Sequence, residues 1–128
     1  MSKAKMHDSG ARRKFDSGAV RDLAAEKPRI DLISPFALAR LGEWCRLGGE
    51  KYSDRNWEKG MPFSTGPYAS LCRHVCDWGK HERYPQFEDH LAAIMWNGMA
   101  LMHYEAMIER KILPATLDDM PDYTRKGK

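Results

Sequence analysis

Apolar residues recur at three- and four-residue steps along residues 87–111, which predicts the longest helix of the chain. One face of this predicted helix carries His90, Ala93, Ile94, Asn97, Leu101, Tyr104 and Ile108. Two of these residues are polar, and a buried polar group costs free energy unless it forms a hydrogen bond. Because His90 and Asn97 lie too far apart along the helix to bond to each other, we expect a wet pocket at the small Ala93 between them.

A first helix is predicted to begin at Ser34, a typical N-cap residue that is followed by Pro35, and to end at the glycine pair 48–49. Its apolar arc consists of Phe36, Ala37, Leu38, Leu41, Trp44, Cys45 and Leu47. Glu43 lies at the edge of this arc, and Glu50 would lie almost above it if the last turn continues. The two carboxylates are therefore expected to point the same way.

Ser64 or Thr65 can cap a second helix, which has Pro67 in its first turn and ends near Gly79. The chain contains no repeat, and its predicted helices are expected to form one all-α domain over residues 15–112. Residues 1–14 are basic and poor in large apolar side chains, so we expect them to be disordered. The prolines and charges after residue 112 predict an extended tail over residues 113–128.

Composition narrows the class of protein. A chain of 128 residues with 30% charged residues and a mean hydropathy of -0.66 fits one domain with a polar, hydrated surface. Charges interrupt every apolar stretch before the roughly 18 residues that a membrane span needs, so we expect a cytoplasmic protein with no membrane partner. Cys45, Cys72 and Cys76 lack CxxC spacing, which favours reduced, packed thiols.

Carboxylates dominate the candidate chemistry, because the chain lacks a Gly-rich phosphate loop, a GxSxG elbow and an HExxH motif. Acids that hold Mg²⁺, helped by basic residues, are suited to hydrolysing phosphoanhydrides. The available groups are Glu43, Glu50, Asp77, Glu82, Glu88, Asp89, Lys51, Arg73, His74 and His90. Each of these groups could instead have an ordinary structural role. Glu88 and Asp89 can simply stabilise a helix dipole, and Glu50 and Glu82 can be surface acids. His74 can be a core histidine.

Several short blocks stand out in this order along the chain: residues 18–22 (GAVRD), 27–35 (KPRIDLISP), 50–52 (EKY) with 55–60 (RNWEKG), 73–74 (RH), and 88–93 (EDHLAA) with 96–97 (WN). Together these blocks resemble the dATP/dGTP diphosphohydrolase family of phages and bacteria. This family is related to the MazG nucleotide pyrophosphohydrolases, and the match is similar to the phage MazZ enzymes. The resemblance covers about residues 15 to 110.

The resemblance implies a MazG-like helical bundle that assembles as a homodimer or homotetramer. It also implies Mg²⁺ or Mn²⁺, two or three ions per site, and water that attacks the α-phosphorus of a purine deoxynucleoside triphosphate with pyrophosphate as the leaving group. dGTP is the favoured substrate, with dATP or GTP as alternatives. In phages that use 2-aminoadenine, such enzymes supply dGMP for that base.

The usual MazG acidic runs, Glu-Glu-x-x-Glu and Glu-x-x-Asp, are absent, so the ligands are assigned from chemistry and from the narrower family's blocks. Only Asp77 is acidic in the nearest match to the first run, residues 73–77. The predicted catalytic residues are Glu43, Glu50 and Asp89. The predicted metal ligands are the same three together with Asp77 and Glu88.

Basic and polar residues are predicted to bind the nucleotide. Lys51, Arg73 and His74 are expected to face the phosphates, and His90 and Asn97 to lie in the pocket.

Other residues are expected at the base, at the sugar or over the site. Asn56 and Trp57 are expected to hold the base or sugar, with Trp57 stacking. Arg21, Lys27 and Arg29 are expected to close over the nucleotide or to contact an adjacent subunit.

Two other functions remain open. The same chemistry could act on another triphosphate such as dUTP or dCTP, as in a house-cleaning pyrophosphatase. A non-enzymatic helical module could instead bind nucleic acid or protein through the basic ends, which account for part of the chain's net charge of +3. That module would account for the basic residues at the two ends of the chain but not for the polar residues on the third helix. We therefore expect no stable nucleic-acid complex.

Overall fold

The computed structural model describes residues 4–23 and 26–125. Contacts divide the chain into two units, Met1–Ile33 and Ser34–Lys128. The second unit carries three α-helices, and the described part of the first carries a two-stranded sheet, so the expected all-α fold is confirmed. Within the described ranges, none of the helices combines the length and the apolar character that a membrane crossing requires.

The first unit contains a small antiparallel hairpin. Strand β1 (Arg12–Lys14) pairs with β2 (Val20–Asp22), with Arg12 opposite Asp22. The Asp22 carboxylate accepts hydrogen bonds from the backbone N–H and hydroxyl of Ser9. Residues 12–14, which fall in the segment expected to be disordered, therefore form a strand.

Helix α1 (Pro35–Lys51) begins as its sequence predicts, with the Ser34 hydroxyl accepting from the Ala37 N–H at 3.2 Å. The glycines at 48 and 49 do not end the helix, which continues for two more residues. Its inner face is centred on half-buried Leu41 and Trp44. Phe36, which was expected on the apolar arc, is 84% exposed.

A π-helical turn, Ser64–Tyr68, leads directly into helix α2 (Ala69–Gly79). The turn encloses the fully buried Pro67, and no side chain caps it. The expected capping role of Ser64 or Thr65 is therefore wrong. Ser64 instead donates its backbone N–H and its hydroxyl to the Asp119 carboxylate at 2.9 and 2.6 Å.

Helix α3 (His90–Glu109) packs against both α1 and α2. Asp89 is its N-cap and accepts from the Ala92 N–H at 3.1 Å, so the helix begins later than the periodicity predicted. Side chains that are buried along α3 form the main contact with the other helices. They are His90, Ala92, Ala93, Asn97, Ala100 and Tyr104.

The core also includes the segment after α3. Phe63, Ala100 and Tyr104 form its centre, and Leu113, Leu117 and Met120 pack against them. The Phe63 N–H donates to the Leu117 carbonyl at 2.9 Å. The segment that was expected to be an extended tail therefore turns back and covers the core.

Candidate active site

His90, the first residue of α3, is the centre of a buried polar cluster. It is 3% exposed, and both of its ring nitrogens have partners. Nε2 lies 3.2 Å from Glu82 Oε1, and Nδ1 lies 2.8 Å from His74 Nδ1 on α2. The imidazole therefore joins α2, the turn after it and α3 in one network.

Asp77 and Glu82 complete a group of potential metal ligands with His90. One ligand atom from each residue lies within 4.8 Å of the other two. The three come from the last turn of α2, the following turn and the start of α3, and the Glu82 N–H donates to the Asp77 carbonyl at 3.3 Å. Two carboxylates and an imidazole this close to one another are donors that can bind a divalent cation.

His74 lies behind His90. Burial lowers the pKa of His74, and its ring packs edge-on against Trp44 with centroids 5.7 Å apart. The neutral imidazole is therefore favoured, and a neutral ring has one donor and one acceptor nitrogen. This suits the single hydrogen bond between the two Nδ1 atoms.

A cavity of about 170 Å³ adjoins the cluster. Its lining is Arg40, Trp78, Arg83, Tyr84, Asp89, His90 and Leu91. The Arg83 guanidinium lies 3.7 Å from the Trp78 ring centroid, and the Arg40 guanidinium lies 4.8 Å from that of Tyr84. His90 belongs to both the cavity and the ligand cluster, so the two are neighbouring parts of one site.

Asp89, a predicted catalytic residue and metal ligand, is engaged by other partners. Arg40 donates to its two oxygens at 2.8 and 2.5 Å, and the cap bond to Ala92 uses one oxygen again. Hydrogen bonding from Arg40 lowers the pKa of Asp89. These contacts give Asp89 a structural role at the junction of α1 and α3, in the lining of the cavity rather than within the ligand cluster.

Glu43 and Glu50 do point the same way from α1, as expected, but they meet at Arg46. Arg46 Nε lies 3.0 Å from Glu43, and Nη1 lies 2.6 Å from Glu50 Oε1. Hydrogen bonding from Arg46 lowers the pKa of Glu43. Both acids are exposed, as is Glu88, and none of the three joins the cluster around His90.

Two of the residues expected to bind nucleotide, His74 and His90, are brought together, whereas Lys51 and Arg73 are exposed. Asn97 is 3% exposed and donates to the Ala93 carbonyl at 2.8 Å.

The wet pocket expected at Ala93 is not found, because Ala93 has no exposed surface. His90 and Asn97 each find other partners, as predicted. However, the cavity lies beside Arg83 instead.

Trp57 packs into an aromatic group, with ring centroids 5.5 Å from Trp96 and 4.9 Å from His103. Its neighbour Asn56, like Trp57 a predicted base or sugar contact, is exposed.

Three of the predicted nucleotide contacts belong to the first unit. Arg29 donates to the Asp31 carboxylate at 2.9 and 2.8 Å. Lys27 Nζ lies 4.0 Å from Asp22, and Arg21 is exposed on β2.

Glu82, Arg40, Trp78 and Arg83 were not among the predicted site residues. One sequence signal was available for Glu82. It lies in the turn between two predicted helices, three residues beyond Gly79, and a second acid, Asp77, lies close before it in the sequence. No sequence pattern marks Arg83, because its environment depends on how the turn folds.

In this helical unit, two carboxylates and an imidazole that could hold a metal ion lie next to a cavity lined by two arginines. Residues 17–112 match the model of the family described as dATP/dGTP diphosphohydrolase, N-terminal. The match covers more than half of the chain, and the chain belongs to this family. No curated protein and no solved structure matches the chain.

Proposed function

We propose that the protein hydrolyses a purine deoxynucleoside triphosphate to the monophosphate and pyrophosphate. The family description names dATP and dGTP, and dGTP is our favoured substrate. The observation that carries the proposal is the cluster of Asp77, Glu82 and His90 beside a cavity lined by two arginines. Such a site places anionic ligands for a cation next to cationic groups for a phosphate.

The donor set fits a divalent metal ion. Carboxylate oxygens suit Mg²⁺ and Mn²⁺, and the imidazole adds a nitrogen donor, which transition-metal ions accept more readily than Mg²⁺ does. A bound ion would neutralise charge on the phosphates and make a water molecule more nucleophilic. The cluster offers ligands for one ion, so the two or three ions that the family resemblance implies require further ligands, from the nucleotide or from a second copy of the chain.

In this proposal His90 presents an imidazole nitrogen to the cation, and His74 orients His90. Nε2 of His90 can hold a cation only when it carries no proton, so the ring then keeps its proton on Nδ1. That proton can be donated to Nδ1 of His74, 2.8 Å away. His74 thereby orients His90, as hydrogen-bonded partners commonly do for ligating histidines.

The proposed enzyme acts as a homodimer or homotetramer. Exposed apolar side chains on α1 support this part of the proposal: Phe36 is 84% exposed and Leu38 is 52% exposed. Large apolar surfaces of this kind are commonly covered in an assembly.

The test is an assay of the intact protein with each common nucleoside triphosphate, with product identification in Mg²⁺, in Mn²⁺ and in excess chelator. Asp77→Asn and Glu82→Gln should each lower kcat by about a hundredfold or more. Glu105→Gln, which removes a charge from an exposed position on α3, is the matched control. Full activity in chelator, or in both cluster variants, would overturn the proposal.

A further inference from the structure

The cavity beside the ligand cluster contains a guanidinium whose hydrogen bonding is incomplete. We propose that this cavity binds a pyrophosphate group, either the β- and γ-phosphates of the substrate or free inorganic pyrophosphate, and that Arg83 is its principal contact. The inference rests on the proposed function and adds the position of the leaving group.

Arg83 is held in place without a carboxylate. Its guanidinium stacks on Trp78 at 3.7 Å, and it forms no ion pair within 4.0 Å among residues 4–23 and 26–125. Its Nε is buried and has no hydrogen-bond partner in the described part of the chain. A buried donor without an acceptor is unfavourable, and it shows that the protein does not complete the hydrogen bonding of this guanidinium. Because Arg83 lines the cavity, an anion there would give the guanidinium an acceptor.

Arg40 differs from Arg83 because Asp89 already neutralises it through two hydrogen bonds. Two guanidiniums and one carboxylate line the cavity, so the charge of Arg83 is not balanced by a carboxylate there. A planar guanidinium fork suits the paired oxygens of a phosphate better than an ammonium group does. The cavity therefore has the charge and the donor geometry for a phosphate ligand.

The volume decides how much of a nucleotide this cavity can hold. At about 170 Å³ it is smaller than the roughly 300–1,000 Å³ of typical small-molecule sites. It can admit phosphate groups but not a base and sugar as well. Since His90 borders both the cavity and the cluster, the terminal phosphates would lie in the cavity and the α-phosphorus beside the cluster.

The role of Arg83 follows from the bonds that change. Water forms the new bond to the α-phosphorus and gives up a proton to solvent. The bond from the α-phosphorus to the bridging oxygen breaks, and its electron pair leaves with pyrophosphate. Arg83 would stabilise the negative charge that develops on that leaving group.

The direct test is calorimetric titration of the intact protein with inorganic pyrophosphate, orthophosphate and dGMP, with and without Mg²⁺. We compare wild type with Arg83→Gln and Arg83→Lys, and with the control Arg125→Gln, whose side chain is 64% exposed. Arg83→Gln should weaken pyrophosphate binding at least about tenfold and Arg83→Lys less, since lysine keeps the charge. dGMP binding should be unchanged in both. Equal pyrophosphate affinity in Arg83→Gln and Arg125→Gln would overturn the inference.

A second measurement follows ligand binding in the wild-type protein and uses a variant only to assign one signal. In a ¹⁵N-arginine spectrum, pyrophosphate should shift the Nε–H signal that is missing from Arg83→Lys, and an unshifted signal would overturn the inference. Pyrophosphate binding at Arg83 without hydrolysis of any triphosphate would overturn the proposed function and leave the anion site standing. Hydrolysis with an Arg83 signal insensitive to pyrophosphate would overturn the anion site alone.

Discussion

His74 Nδ1 and His90 Nδ1 lie 2.8 Å apart, so one ring must donate to the other. The contact links α2 to the first residue of α3, where His90 also meets Glu82. A bond between two imidazoles requires an unprotonated nitrogen on one of them, and burial lowers the pKa of His74. The pair therefore fixes the orientation of the one imidazole in the ligand cluster.

The first prediction concerns this orientation. His74→Gln should raise the Mn²⁺ concentration needed for half-maximal activity by about 10- to 100-fold, because a partner that orients a ligating histidine is lost. At saturating Mn²⁺, kcat should recover towards the wild-type value. Activity titrations with Mn²⁺ measure both effects, and an unchanged metal dependence would show that His74 does not position His90.

The second prediction separates the two roles of Asp89, the cap of α3 and the partner of Arg40. Asp89→Asn keeps a capping side chain and loses the ion pair, whereas Asp89→Ala loses both. Denaturant unfolding should show that Asp89→Ala costs about 0.5–2 kcal/mol more than Asp89→Asn, the usual range for a lost cap. Equal losses in the two variants would mean that the ion pair dominates.

The third prediction tests the packing at Ala93, which has no exposed surface. Ala93→Leu should lower the free energy of unfolding by about 1–3 kcal/mol, since added methyl groups overfill a packed site. Met102→Leu on the same helix is the control, because Met102 is 66% exposed. An Ala93→Leu protein as stable as the control would instead indicate the open pocket that the sequence suggested.

The fourth prediction concerns Tyr104, whose hydroxyl donates to the Trp57 carbonyl. Burial raises the pKa of Tyr104 from its ordinary 10.0 to about 12. Its contribution to stability is therefore complete below about pH 10 and is lost as the pH rises towards 12. Absorbance at 295 nm should show a late tyrosinate transition that coincides with unfolding and disappears in Tyr104→Phe. An early, reversible ionisation of Tyr104 in the folded protein would contradict this burial.

The helices could be predicted because their signals are local. The Ser34 cap and the periodicity of α3 are visible in the sequence and match the structure within a few residues. The hairpin around β1 was missed because its residues lack an apolar pattern. Asp22 orders this segment through hydrogen bonds to Ser9.

The candidate site was harder to predict, because its residues meet through the turn between α2 and α3. Asp77 and His90 were predicted as site residues, whereas Glu82 was only one of the available acids, with an ordinary surface role as the alternative. The pairing of Glu43 and Glu50 with Arg46 could have been anticipated, since Arg46 is three residues after one and four before the other. The contact of Arg83 with Trp78 carries no comparable signal.

Product analysis with dGTP shows whether the protein releases pyrophosphate in a metal-dependent reaction. Wild-type protein and Glu82→Gln are incubated with dGTP in Mg²⁺ and in excess chelator, and the products are quantified by ³¹P NMR. We expect equal amounts of dGMP and pyrophosphate, formed only with the metal and about a hundredfold more slowly in Glu82→Gln. Release of orthophosphate with dGDP, or equal rates with and without chelator, would contradict this expectation.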